Sequence, residues 1–359
     1  MKKICGVSAF KILNKTIYYN LNDILYRDNN VFLNDVEGSS FWEKKNIFYY
    51  HDNKGYHNLL NNDNDLKYHG EIGFSIDTIK DNEMICFYDS QFINGFWERN
   101  LGLFDVSQMK IIKKIDLNLK SLYFFFTSLN YYLCKNLKDR NLLYRINHDF
   151  SLIWQFSIAD FPNYISGFGR EEKADIQQII GVYNNILWVL VGRFRLVGID
   201  VETGKQMHYI EDIPYALGLT KEERYHFDFG AYSVIHLDEA QGILKAFAHR
   251  YYIEFDLNTL KGVVKKDFGE KWEESWRIKS STYYQEYPTQ LFFSGYYKNI
   301  HNPNAFGIFD TDKAEIVWYD TTKEDLGSFY NPPQANDKIL AILDDKHNLL
   351  IYDKTDDIK

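Results

Sequence analysis

Four acidic pairs recur at a fixed interval: Glu171-Glu172, Glu222-Glu223, Glu273-Glu274 and Glu324-Asp325, each 51 residues beyond the last. Paired carboxylates can serve as general acid and base, hold a cation, or meet a basic protein surface. The neighbours recur as well. Thr220-Lys221 precedes one pair and Thr322-Lys323 another, while Arg170, Arg224 and Arg277 flank three of them. Aromatic residues accompany the acids, among them Tyr164, Tyr215, Trp272, Trp276 and Tyr330. Rings beside charge are what protein-binding surfaces use. The expected partner-binding set is therefore Glu171, Glu172, Glu222, Glu223, Arg224, Trp272, Glu273, Glu274, Trp276, Glu324, Asp325 and Tyr330. Two other readings stay open. Exposed loops copied by duplication would carry the same charges without a role, and a carboxylate pocket would make the protein a hydrolase or lyase.

Other chemistries find no foothold, and no catalytic residue, metal ligand or cofactor is expected. Asn61-Asn62-Asp63-Asn64-Asp65 alternates oxygens as a calcium loop does. Leu66 stands where that loop needs Gly, however, and Ile72 where it needs a bidentate Glu. The ten histidines form no zinc pattern, and His236 and His249 are expected to be packed or solvent-facing. Gly6-Val7-Ser8-Ala9-Phe10 lacks the closing glycine of a nucleophile elbow, and Ser166 lies in a glycine-rich connector. Neither a P-loop nor a dinucleotide fingerprint occurs.

The elements that must position these acids announce themselves by a second repeat. An apolar residue leads into Asp or Asn at Asp105, Asn147, Asp200, Asp256, Asp310 and Asp353, with a weaker copy at Asp52. The gaps are 53, 42, 53, 56, 54 and 43 residues, the scale of a propeller blade. The clearest unit runs from Gln178 to Ile210: four apolar runs separated by turns, the first at Asn184-Asn185. Asn tolerates the positive φ that tight hairpins need, so this reads as one antiparallel meander. The expected fold is all-β: one propeller domain over residues 1–359, of seven four-stranded blades, with short helices confined to connectors. The last unit stops early, so an N-terminal strand, from Lys3 to Phe10 or Thr16 to Asn20, is expected to close it. The acidic pairs would then lie in connectors between successive blades.

Leu196-Val197-Gly198-Ile199-Asp200-Val201-Glu202-Thr203-Gly204-Lys205 resembles the repeat of quinoprotein-like, WD40-like β-propellers, and Asp310-Thr311-Asp312-Lys313 with Trp318 resembles a degenerate copy. The resemblance implies the fold and not the quinone chemistry. Enzymes of that class are exported and bind quinone with a metal. This chain lacks the adjacent cysteines that many of them carry, and no catalytic residue is carried over.

Composition bounds the partners. The net charge of −9 argues against nucleic acid or an anionic membrane, since both demand a basic face. With 45% hydrophobic residues, and with 28 Tyr, 27 Phe and 7 Trp, the chain can build a β-rich core. Cys5, Cys86 and Cys134 are expected to be reduced core residues of a cytoplasmic protein. The expected function is a non-enzymatic, monomeric binding scaffold for a protein with a basic surface, with a bacterial immunity or inhibitor role as one form of it.

Overall fold

The computed structural model describes residues 1–358 except 94, 116–121, 129, 137, 140, 166–170, 221, 224–226, 228, 230–233, 272–273, 300 and 324. Among the described residues the fold is a β-propeller of eight four-stranded antiparallel sheets, not seven. Blade 1 comprises Val7–Leu13, Thr16–Leu21, Ile24–Arg27 and Asn30–Leu33. Blade 2 comprises Val36–Lys44, Ile47–Asp52, His57–Leu60 and Leu66–Gly70. Blade 3 comprises Gly73–Lys80, Glu83–Ile93, Phe96–Asp105 and Lys110–Ile115. Blade 4 comprises Leu122–Thr127, Tyr131–Asn136, Leu142–Asn147 and Leu152–Ser157.

Blade 5 comprises Ile176–Tyr183, Ile186–Val191, Arg195–Asp200 and Gln206–Ile210. Blade 6 comprises Ile235–Asp238, Ile243–Ala248, Tyr251–Asp256 and Lys261–Asp267. Blade 7 comprises Trp276–Tyr283, Gln290–Tyr297, Ala305–Asp310 and Glu315–Thr321. Blade 8 takes Gln334–Ala335, Ile339–Leu343 and Asn348–Asp353 from the C-terminus, and its fourth strand is Lys2–Cys5, paired antiparallel with Lys2 opposite Ile351. A four-residue helix, Ile213–Ala216, lies between blades 5 and 6.

The seven-blade count failed because the N-terminal segment expected to supply only a closing strand holds a blade of its own: Thr16–Leu21, which covers one of the two candidates, is the second strand of blade 1. Asp105, Asn147, Asp200, Asp256, Asp310 and Asp353 each end the third strand of a blade, whereas Asp52 ends the second strand of blade 2. The in-phase position in blade 2 is Asn61, whose side-chain oxygen accepts the Asp63 and Asp65 backbone N–H groups. That bonding also makes the suspected calcium loop a self-satisfied polar turn. Blade 1 turns on Asn22-Asp23 and Asp28-Asn29, all four at positive φ. Those Asn and Asp dipeptides were the available signal.

The anchor residues act through their carboxylates. Asp105 Oδ1 accepts the Ser107 and Gln108 N–H groups at 2.7 and 2.9 Å, and Asp256 and Asp353 do likewise in their turns. Asp105 and Asp256 thereby fix the loops that lead into fourth strands, whereas Asp353 fixes the C-terminal turn.

The chain divides into two compact units. One comprises Met1–Lys15, Phe161–Asp200 and Gln206–Lys359; the other comprises Thr16–Asp160 with Val201–Lys205. In the first, Trp188, Phe247, Tyr252, Phe293 and Phe309 lie within one continuous core across blades 5, 6 and 7. In the second, Ile85, Leu103, Tyr132 and Tyr144 pack between blades 3 and 4. Trp154 Nε1–H donates to the Val201 carbonyl at 2.7 Å, and Arg145 donates to the same oxygen at 3.0 Å. The Val201–Lys205 turn of the propeller-like repeat is therefore fastened to blade 4, within the same unit. Cys86 and Cys134 are buried, but Cys5, expected in the core, is exposed; none is in a disulfide. Among the described residues no helix is long and apolar enough to cross a membrane.

Candidate functional site

In an antiparallel meander, the connector from a fourth strand to the next first strand leaves at the same end as the turn between strands two and three. The described members of the acidic pairs all occupy such connectors, between blades 4 and 5, 5 and 6, 6 and 7, and 7 and 8. Arg224, Trp272, Glu273 and Glu324 lie outside the described residues.

Each described connector holds its acids by a local bond. Glu171 and Glu172 pair with Ile165 and Tyr164 in a two-stranded ribbon, where Asn163 Nδ2 donates to Glu171 at 2.8 Å and the Tyr164 hydroxyl donates to Glu172 at 2.9 Å. Burial, reinforced by the Glu172 carboxylate, pushes the Tyr164 hydroxyl up to about 12. Thr220 and Glu223 exchange reciprocal bonds: the Thr220 N–H donates to the Glu223 carboxylate at 2.9 Å, and the Glu223 N–H donates to the Thr220 hydroxyl at 3.2 Å. This is a capping box, legible in Thr220-Lys221-Glu222-Glu223 itself. The Thr220 N–H holds the Glu223 carboxyl below its ordinary value. Glu222 is exposed beside it.

Glu274 forms an exposed pair with Lys271 at 3.2 Å. Asp325 meets Lys3 at 2.6 Å, which ties the closing strand of blade 8 to the connector before it. The pairing holds Asp325 low and raises Lys3. Neighbouring turns supply further cations, since Arg250 contacts Asp267 at 3.2 Å and Glu270 at 3.1 Å. The acids are thus set in a mixed field in which the carboxylates of Glu171, Glu222, Glu274 and Asp325 keep an exposed side.

Apolar groups stand among them. Tyr215 is 80% exposed, held at the tip of the helical turn by its N–H bond to Asp212. Ile165 is 61% exposed and Tyr330 is 38% exposed, with the Lys279 ammonium 4.2 Å from the Tyr330 ring centroid. Trp276 is partly buried, stacked on Tyr297 at 4.4 Å and edge-on to Tyr319 at 5.1 Å. Tyr297 and Tyr319 belong to this cluster, though neither carries a repeat signal.

The hydrolase or lyase alternative needs a carboxyl raised toward neutrality to serve as a general acid. Among the described residues, the carboxyls of Asp52, Asp105, Asp149, Glu223, Asp256, Asp325 and Asp357 lie below their ordinary values. Among the described residues no group of three His, Cys, Asp or Glu side chains is placed to hold a metal. His236 donates to or accepts from Ser281 Oγ at 2.7 Å, and burial lowers it to about 4.

The chain matches no protein-family profile and no curated protein. Solved structures do match. BamB from Moraxella catarrhalis is similar at a TM-score of 0.55 and 9% identity, over 98% of both chains. Saccharomyces cerevisiae Sqt1 is similar at a TM-score of 0.54 and 11% identity, over 98% of this chain and 97% of that one. The β-propeller domain of Myceliophteria thermophila Cps50 (Swd1) is similar at 0.50 and 12%, over 88% and 96%. At such identities the likeness shows the fold alone: the chain folds as do quinoprotein-like and WD40-like β-propellers.

Proposed function

We propose that this protein is a binding scaffold that holds a partner protein with a basic surface against the connector end of blades 5 to 8. The observation that supports the reading most is the recurrence of one exposed carboxylate in each of four successive connectors, Glu171, Glu222, Glu274 and Asp325, beside exposed Tyr215, Ile165 and Tyr330. Carboxylates at the rim steer and select a cationic partner, and exposed rings supply the anchors that hold it. Arg224, Trp272, Glu273 and Glu324, outside the described residues, belong to the proposed set by sequence alone. Sequestering a cationic toxin, as an immunity or inhibitor protein does, is one form of this function.

The test is affinity capture from the native host with the whole chain and with its E171K/E222K/E274K variant. Glu223 and Asp325 are left untouched because they cap and close the fold. Recovery of the bound partner should fall about tenfold in the variant and should fall with added salt. Undiminished recovery by a variant that melts normally would overturn the reading.

A further inference from the structure

The groove between blades 5 and 6 holds a second candidate site, and its origin is visible in the register of two blades. Two residues before its Asn147 anchor, blade 4 pairs Arg145 with Trp154 on the fourth strand. Both side chains donate to the Val201 carbonyl. Two residues before its Asp200 anchor, blade 5 pairs Gly198 with His208 on the fourth strand and with Trp188 on the second. Glycine thus stands where blade 4 has a guanidinium, and imidazole where it has an indole. The Trp188 and His208 rings stack, with centroids 5.3 Å apart and planes 10° from parallel. A Cβ at Gly198 would lie 3.0 Å from His208 Cδ2, so a side chain there would press the imidazole out of place.

The smaller ring leaves room. Trp188 and His208 line a cleft of about 320 Å³, walled by Ile186 and by Leu257 and Leu260 of the blade 6 turn. Tyr183, Asn184 and Asn258 complete it, and the Tyr183 hydroxyl donates to Asn258 Oδ1 at 3.0 Å, which ties the two blades together there. Among the described residues no carboxylate, ammonium or guanidinium lines the cleft. Asp256, next to Leu257 in the chain, is taken up by its own turn, where it accepts the Asn258 and Thr259 N–H groups and the Thr259 hydroxyl. Trp188 is 2% exposed, and among the described residues its Nε1–H has no acceptor. A buried donor without a partner is unfavourable and calls for an explanation. Blade 4 offers Trp154 the Val201 carbonyl; the cleft in blade 5 offers Trp188 nothing equivalent.

We propose that this cleft binds a small neutral molecule that carries a carbonyl oxygen on an apolar ring. The carbonyl accepts the Trp188 indole N–H, in the role that the Val201 carbonyl plays for Trp154, and the ring lies against Ile186, Leu257 and Leu260. Entry turns the partly exposed His208 ring aside, a rotamer change of the kind that accompanies binding. The whole lining selects the ligand. An ion would leave water for a site without a counter-charge. An apolar molecule without an acceptor would leave the indole N–H as unsatisfied as before. The cleft lies at turns between first and second and between third and fourth strands, at the end opposite the connectors. The proposal therefore does not depend on the connector reading.

The test titrates the whole chain with benzamide, benzoate and toluene while NMR follows the Trp188 indole N–H, assigned by its loss in Trp188→Phe. Benzamide should move that resonance downfield saturably, and benzoate and toluene should bind about tenfold more weakly or less. Trp188→Phe keeps a ring and removes the donor, so ligand-detected NMR should find benzamide reduced to the affinity of toluene. His208→Trp places at this position the ring that blade 4 carries and should abolish the benzamide response, whereas His208→Ala should retain it. Thermal melts confirm that each variant is folded. An unmoved Trp188 resonance, equal binding of benzoate or toluene, or undiminished benzamide binding by folded W188F or H208W would overturn the proposal.

Discussion

Blades 3 and 6 make the same connection between their second and third strands and come to opposite ends. In blade 6 the chain reverses at His249-Arg250, with His249 at φ 53°. The flanking Phe247, Tyr251 and Tyr252 are all buried, and Arg250 is fixed by Asp267 and Glu270. In blade 3 the second and third strands run on together as a ribbon, with Phe92 opposite Trp97, and leave both rings in water. One blade spends its apolar side chains on its own core, and the other withholds some from it. Where a repeat protein departs from its repeat, the departing residues are candidates for another use.

The largest effect should come from the interior of blade 6. Lys245 Nζ meets Asp238 Oδ2 at 3.0 Å with both side chains almost wholly buried. Lys245 also donates to the Pro288 carbonyl and lies 5.4 Å from the Tyr283 ring. Asp238→Ala leaves a buried ammonium without its counter-charge and should cost about 3–5 kcal/mol in urea unfolding. The double variant D238L/K245M, which removes both charges, should recover most of that loss. If D238A unfolds at the wild-type midpoint, the contrast between a committed blade 6 and an uncommitted ribbon is broken.

Acid should act on the same interior next. His236 is held neutral, lowered from 6.5 to about 4, while the unfolded chain takes up a proton near 6.5. Its contribution to stability is therefore complete above pH 6.5 and is lost as pH falls toward 4, by about 3 kcal/mol. Unfolding midpoints at pH 7.5 and 4.5 should differ accordingly, and His236→Gln should flatten the slope without abolishing it. The remainder is expected because burial also lowers His57 in blade 2 to about 4. An unchanged slope in H236Q would assign the acid sensitivity elsewhere.

A smaller loss should follow at the Val201–Lys205 turn. Gly204 has φ +70°, and a Cβ there would lie 2.6 Å from Trp154 Cγ. Gly204→Ala should cost about 2 kcal/mol from backbone strain and displacement of the indole. A smaller drop would mean that Trp154 can give way while its bond to the Val201 carbonyl survives.

The blade pattern was legible where an Asp or Asn ended a third strand; at Asp105, Asp256, Asp310 and Asp353 the side chain accepts N–H groups of the following turn. It misled where that signature was borrowed: Asp52 offers the same bonds at the end of a second strand, accepting the Lys54 and Tyr56 N–H groups, and so threw the count out of phase. The acidic pairs were legible as a period. Only the Thr220–Glu223 capping box disclosed its bonds in sequence; the partners of Glu172 and Asp325 sit on other strands, and Lys3 is 322 residues from Asp325. The ribbon was missed although Phe92-Ile93-Asn94-Gly95-Phe96-Trp97 carries a strong hairpin signal.

The smallest effect on stability should come from the ribbon itself. Phe92→Ser/Trp97→Ser removes two large rings, yet both are about half exposed or more. Exposed positions of this kind change stability by about 0.5 kcal/mol or less, whereas rings of the same size buried in blade 6 cost about 3–5 kcal/mol when truncated. Phe247→Ala, at 1% exposure, is the matched control. The ribbon variant should melt with the wild type and be more soluble, since a contiguous apolar patch has gone. A loss comparable to that of F247A would show that the ribbon packs against the fold.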